Sequence, residues 1–267
     1  AERLPATIEL AVFSILIAVV VAIPLGVWAG AKPNSWTDNI GSIVGFFGIS
    51  MPNFWFGIML ILVVSGVFHL LPSAGRETYG VPSDPITGFY ILDSILHQNW
   101  KAAWDGVKYI ILPATALGTN MMGIMMRVTR SSVLEVMHED YVTTARAKGL
   151  VERKVLWRHV VSNALIPVIT VVGLELGTLL SGSIIVETVF SWPGSGSLLI
   201  VALNARDHPL VTGLVVAVKF VVELVLSSRS SAACIISVNK VDVGLVKSTG
   251  NLDVSKSITA LLSFDII

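Results

Sequence analysis

Apolar residues in this chain gather into runs about as long as a lipid bilayer is thick. Crossing roughly 30 Å of hydrocarbon as a helix takes about 20 mostly apolar residues. Five runs qualify as spans: residues 7–28, 40–71, 106–126, 164–186 and 209–226. Met51-Pro52 interrupts the second, whose first half is too short to cross alone. It is therefore predicted to be one long helix kinked at Pro52. The fifth carries Lys219 and Glu223, four residues apart on one helical face, where they can pair locally. Composition points the same way. The 267 residues are 54% hydrophobic and 13% charged, against about a quarter charged in soluble domains. Mean hydropathy is +0.78. The expected fold class is an all-α polytopic membrane protein.

The connections between runs set an orientation. Arg127, Arg130, Arg146, Lys148, Arg153, Lys154 and Arg158 all fall between the third and fourth runs. The long connection 72–105 holds only Arg76 and Lys101 as basic residues, with four acids and many prolines and glycines. The positive-inside rule puts the basic connection in the cytoplasm and the other outside. Lys32 then also falls inside, and Trp100 and Trp104 sit where an outer aromatic belt would anchor the third span. The first span starts from outside, so a further transmembrane helix upstream of residue 1 is expected. Net charge is zero, so any electrostatic recognition is local. The single cysteine, Cys234, excludes an intramolecular disulfide framework and a cysteine-built metal site.

The basic connection 127–163 is amphipathic. Val133, Leu134, Met137, Tyr141 and Ala145 recur at helical spacing, with Arg130, Glu139, Arg146 and Lys148 on other faces. Gly149 suits the position just past a helix end, where a left-handed conformation is needed. A second amphipathic piece follows, with Val155, Trp157 and Val160 among Arg153, Lys154, Arg158 and His159. Pro167 is predicted to open the fourth span, where its missing N–H costs least. From these residues alone, two readings stand: a helix lying on anionic lipid, or a surface that a soluble partner grips.

The order of residues favours the second. Thr143, Thr144, Ala145 and Gly149, with Pro167 downstream, resemble the cytoplasmic coupling loop of ABC-importer permeases, whose pattern is Glu-Ala-Ala, three residues, then Gly. The first two positions depart from that pattern, and the distance from Gly149 to Pro167 is longer. Both departures are similar to the dipeptide/oligopeptide/nickel branch. Its loop reads much like Asp140-Tyr141-Val142-x-Thr144-Ala145-Arg146-Ala147-Lys148-Gly149, then Arg158-His159 and Asn163-Ala164-Leu165-Ile166-Pro167. Further blocks agree: Glu2-Arg3-Leu4-Pro5-Ala6-Thr7, Gly48-Ile49-Ser50-Met51-Pro52-Asn53-Phe54-Trp55, Leu71-Pro72-Ser73-Ala74-Gly75, and Val186-Glu187-Thr188-Val189-Phe190-Ser191-Trp192-Pro193-Gly194. The resemblance covers roughly residues 2–218.

The resemblance implies a type I ABC importer transmembrane domain in a bacterial or archaeal cytoplasmic membrane. It implies a second homologous permease as partner, two ATPases below, and an extracytoplasmic substrate-binding protein, with no nucleic acid. Asp140, Tyr141, Thr144, Ala145, Arg146, Ala147, Lys148 and Gly149 would form the contact with one ATPase. Small Ala145 and Ala147 would allow close approach, and Arg146 and Lys148 would pair with its acids. ATP and Mg would belong to those partners. The chain contains no Gly-x4-Gly-Lys-Ser/Thr phosphate loop, and Val246-Lys247-Ser248-Thr249 lacks the glycine before lysine. No catalytic role is expected of it. A nickel or other small-solute permease of the same branch is one alternative, and a non-transporting scaffold with a lipid-binding basic loop is another.

Other residues carry weaker expectations. Glu175 lies mid-span, where an acid is costly unless it faces a polar interior, so it lines a pathway or packs against a neighbour such as Thr178. Pro52 marks a candidate pathway bend. Gly177, Ser181, Gly182 and Ser183 suit close helix packing. Glu187, Trp192, Pro193 and Gly194 are read as a turn at the extracytoplasmic mouth. The five histidines show no metal spacing. Residues 1–226 form the expected permease domain, while 227–267 form an atypical tail whose 238–246 stretch partly alternates like a strand, as a shifted reading frame or a fusion would produce, with a native accessory tail as the alternative.

Overall fold

Two long helices form the spine of the structure, and small side chains are what let them meet. The structure is a computed structural model describing residues 3–78 and 87–220, apart from the side chains of 176–178 and 180–182. These residues belong to one compact unit, residues 1–223. Glu223, residues 221–226 of the fifth run, and the tail 227–267 lie outside the described residues, as does the Thr178 side chain.

Helix α1 (Arg3–Ala31) turns Ala11, Ser14, Ala18, Ala22, Gly26 and Ala29 inward and leaves Val12, Leu16 and Val20 exposed. It packs along α5 (Trp100–Met137) more extensively than any other pair of helices. A Cβ on Gly118 would stand 2.8 Å from the Ser14 carbonyl oxygen, and one on Gly26 would stand 2.7 Å from the Thr129 Cβ. Lipid tails are as apolar as leucine, so such helices associate through close backbone packing rather than hydrophobic expulsion.

The second run is broken rather than kinked. Helix α2 (Trp36–Ser50) ends at Met51, and α3 (Asn53–Leu60) begins after Pro52. The two halves diverge by 106°. The residue before a proline is driven into extended backbone, and Met51 has φ −94° and ψ 130°. Beyond α3 the chain winds into a π-helical stretch, Ile61–Val67. Before α5, α4 (Tyr90–Leu96) is preceded by a turn tied to Asp93. That carboxylate accepts from the Thr87 and Gly88 N–H groups at 2.9 and 3.0 Å and from the Thr87 hydroxyl at 2.6 Å. Burial alone would raise its pKa, but these bonds outweigh burial and hold it below the usual carboxylate range.

Helix α5 outruns its predicted run at both ends, so Arg127 and Arg130 lie on the helix rather than in a loop. The helical spacing across 133–145 is also interrupted: α5 stops at Met137, and α6 (Asp140–Ala147) starts after Glu139. After the Gly149 turn, α7 (Glu152–Lys154), a π-helical stretch (Val155–Val161) and α8 (Ser162–Gly182) follow one another as a continuous rod. Pro167 is therefore inside a helix, not at its start. It forgoes one backbone hydrogen bond, a loss that membrane helices tolerate where neighbouring groups re-satisfy the backbone. Short helices α9 (Ile184–Val189), α10 (Ser195–Asn204) and α11 (His208–Phe220) complete the described chain.

Among the described residues, three helices are long and apolar enough to cross a membrane: Arg3–Ala31, Trp100–Met137 and Glu152–Glu175. The bent pair Trp36–Ser50 and Asn53–Val67 makes a fourth if it counts as one span. Helix α11, at the fifth run, is shorter within the described residues. No strand occurs among the described residues.

Candidate functional site

The basic connection folds into a helix clamped to its own chain on one side and open on the other. Val142 and Ala145 are 0% and 7% exposed. They join Val27, Val133, Val155, Val160, Val161 and Ala164 in a small apolar cluster. Asp140, Tyr141, Thr143, Thr144, Ala147, Lys148 and Gly149 face outward. Ala145 thus acts within the fold by seating α6, and the close-approach surface is left to Ala147 and Gly149. Val142, not Tyr141, continues the apolar stripe, because the chain turns between α5 and α6. Trp157 is half exposed while Val155 and Val160 are enclosed.

Gly149 ends α6 as expected, with φ +75°. Its N–H donates to the Arg146 carbonyl at 2.9 Å, and the Leu150 N–H donates to the Ala145 carbonyl at 3.4 Å. This pairing is a Schellman motif. No atom lies within 4 Å of where a Cβ on Gly149 would sit, so the backbone conformation, not crowding, calls for glycine.

Two side-chain ties cross that turn to the base of the α7–α8 rod. Arg146 grips Glu152 with both Nε and Nη2, the shortest contact being 2.7 Å. That bond raises the Arg146 pKa further above its ordinary value. Arg146 is consequently committed within the chain, and Lys148 is the exposed cation of the turn. Asn163 donates from Nδ2 to the Tyr141 hydroxyl at 3.0 Å and to the His159 carbonyl at 2.9 Å. A push on α6 therefore reaches the rod through an ion pair, a hydrogen bond and packed valines.

The rod leads to Glu175. Its side chain lines a cavity of about 280 Å³ with Asn53, Leu117, Asn120, Met121, Ile124 and Leu179. Among the described residues, Asn53 Oδ1, buried there, has no hydrogen-bond partner. Pro52 stands one residue before Asn53, so the break it causes delivers a polar side chain to this cavity.

At the other end of α8, the expected mouth residues turn inward. Glu187 is fully buried. It accepts from the Thr7 and Ser183 hydroxyls at 2.8 and 2.9 Å and from the Ser197 N–H at 3.0 Å. The Trp192 indole N–H donates to the Ala6 carbonyl at 3.0 Å. Gly194 lies against Glu187, where a Cβ would stand 2.4 Å from Cδ. Pro193 is half-buried beside them. The turn exists, but it fastens α9 and α10 to the start of α1 instead of presenting these side chains.

Sequence reasoning missed the long-range ion pairs beside these sites. Arg76 pairs with buried Glu9, which also accepts from the Ile91 N–H at 2.9 Å. The same guanidinium lies 5.8 Å from the ring centroids of both Tyr90 and Trp192. Asp38 receives two bonds from Arg130, whose Nη2 stands 2.8 Å from Oδ2. The only sequence signal was an acid near an apolar run, facing a basic residue in a distant segment. Among the described residues no three His, Cys, Asp or Glu side chains come together to hold a metal ion.

Residues 22–234 match the family model described as "Binding-protein-dependent transport system inner membrane component". That match covers most of the chain, and the chain belongs to this family: an all-α, multi-pass importer membrane domain. Among its relatives is the "Dipeptide transport system permease protein DppB" of Escherichia coli strain K12, 46% identical over 84% of this chain and 67% of that protein. The "Di/tripeptide transport system permease protein DppB" of Pseudomonas aeruginosa is 44% identical over 82% of this chain and 68% of its own. The "Oligopeptide transport system permease protein AppB" of Bacillus subtilis is 39% identical over 80% of this chain and 62% of its own. The chain spans about two thirds of the length of the curated relatives it matches.

Proposed function

We propose that this chain acts as the permease subunit of an ATP-driven importer for short peptides in a bacterial inner membrane. It pairs with a second permease, receives solute from an extracytoplasmic binding protein, and is driven by two separate ATPases. The names of its relatives supply the peptide class. The single observation that carries the mechanical reading is the build of α6: an outward face of Asp140, Thr144, Ala147, Lys148 and Gly149 on a helix sewn to the α8 rod.

In this mechanism an ATPase groove holds the outward face of α6. Closure of the two ATPases displaces α6, and the Arg146–Glu152 pair, Tyr141–Asn163 bond and valine cluster pass that displacement to α8. The far end of α8 lines the Glu175 cavity, so the polar groups of Asn53, Asn120 and Glu175 change their access. Ala147 and Gly149 allow close approach, and Lys148 sets register more than affinity.

Reconstitution with the two ATPases, second permease and binding protein tests this. Gly149→Asp should insert normally yet lose ATP-dependent uptake of a radiolabelled dipeptide. Normal uptake by that variant would remove the coupling assignment.

A further inference from the structure

We propose that a groove between α2 and α5, at the cytoplasmic edge of the membrane, is a binding site for one anionic phospholipid. The groove has a volume of about 260 Å³ and is lined by Gly41, Gly45, Phe46, Met126, Arg127 and Arg130 among others. Gly41, Gly45 and Gly123 line it without side chains. Met126 packs over Gly41, where a Cβ would stand 2.3 Å from its Cε, whereas a Cβ on Gly45 would make only ordinary contact, 3.7 Å from the Gly123 carbonyl oxygen.

Charge at the mouth is unbalanced. Asp38 is 4% exposed and receives both the Nε and Nη2 hydrogen bonds of Arg130, together with the Asn34 N–H at 3.0 Å. That pair is internally neutral. Arg127, almost one turn away on α5, is exposed, and its guanidinium lies 5.1 Å from the Phe46 ring centroid. Among the described residues no carboxylate pairs with Arg127. One net positive charge therefore stands at the edge of an apolar hollow. Along α2 beside it, Ile43, Phe46 and Phe47 are 67%, 60% and 49% exposed.

A single ligand chemistry satisfies both halves. A phosphodiester monoanion neutralises Arg127 at the headgroup level, while its acyl chain covers the glycine-floored hollow and the Phe46 ring. Basic pockets between membrane helices on the cytoplasmic side hold anionic headgroups in this way. Free phosphate would answer the charge and leave the apolar wall bare. The site depends neither on the solute nor on ATPase docking.

The test uses native mass spectrometry of the full chain in its assembled complex, stripped of lipid and re-supplied with phosphatidylglycerol, phosphatidylcholine or inorganic phosphate. One phosphatidylglycerol should be retained preferentially. Arg127→Gln should weaken retention about fivefold, since each basic residue near the surface contributes about that factor. Arg127→Lys should keep most of it. Gly45→Leu fills the hollow with all charges intact and should lower retention as well, while recovery of the assembled complex with an unchanged unfolding temperature separates site loss from misfolding. Equal retention of phosphatidylcholine, or full displacement by inorganic phosphate, overturns the proposal. So does a photo-cross-linker at Ser42 that captures the second permease in place of lipid.

Discussion

Single residues here are constrained by the backbone or by burial, and the two make opposite predictions at neighbouring positions. Gly149 has open space around it, so Gly149→Ala should cost only the left-handed backbone penalty, about 1 kcal/mol, and Gly149→Asn less. Thermal unfolding of the purified complex checks this. Ala145 faces the valine cluster. Ala145→Glu should bury an unpaired charge, cost about 3 kcal/mol or more, and reduce the amount of assembled protein rather than uncouple it. Gly194→Ala should likewise lower the yield of folded protein, because the added methyl meets the Glu187 carboxyl. Asp93 contributes to the pH dependence. Its folded pKa lies below the unfolded value of about 3.9, so its contribution is fully present above that value and is lost as pH falls through the folded one. The unfolding temperature should drop in that acid range, and Asp93→Asn should flatten the drop.

Among the elements, α6 and the rod it grips decide what was legible beforehand. The runs of apolar residues announced the membrane helices, and Gly149 announced the end of α6. Both signals are local: a length and a left-handed turn. The break between α5 and α6 was hidden because apolar spacing continues through 133–145 while the chain turns at His138 and Glu139. Pro167 misled for a related reason. A proline costs least at a helix start, but the rod begins at Glu152 and carries Pro167 inside it. The Arg130 partner of Asp38, the Arg76 partner of Glu9 and the Thr7 partner of Glu187 were illegible because they lie 92, 67 and 180 residues away and meet only in the folded chain. Arg146 shows the consequence for reading a site: its charge suggested an external partner, yet it is engaged by Glu152. Both side chains of that pair are substantially exposed, so a double-mutant cycle of Arg146→Ala and Glu152→Ala should give a coupling energy of about 0.2–1 kcal/mol in stability. Uptake per ATP hydrolysed should fall further than stability does, since the pair lies on the route from α6 to the rod.

At the scale of the whole described unit, the outer tie between Thr7, Glu187 and Ser195 joins segments made at very different times. Thr7 meets Ser195 across 188 positions of sequence. During synthesis at roughly 5–20 residues per second, the start of α1 must wait many seconds before α9 and α10 exist. Glu187 is then enclosed only when Thr7, Ser183 and Ser197 converge on it. Contacts of such separation are slow to close and are lost first when the chain stops early. A released chain truncated before Ser195 should therefore leave this end accessible to protease, while one that extends through Asn204 should resist. The tie can close only after α9 and α10 have been made, so the start of α1 is fastened late in synthesis.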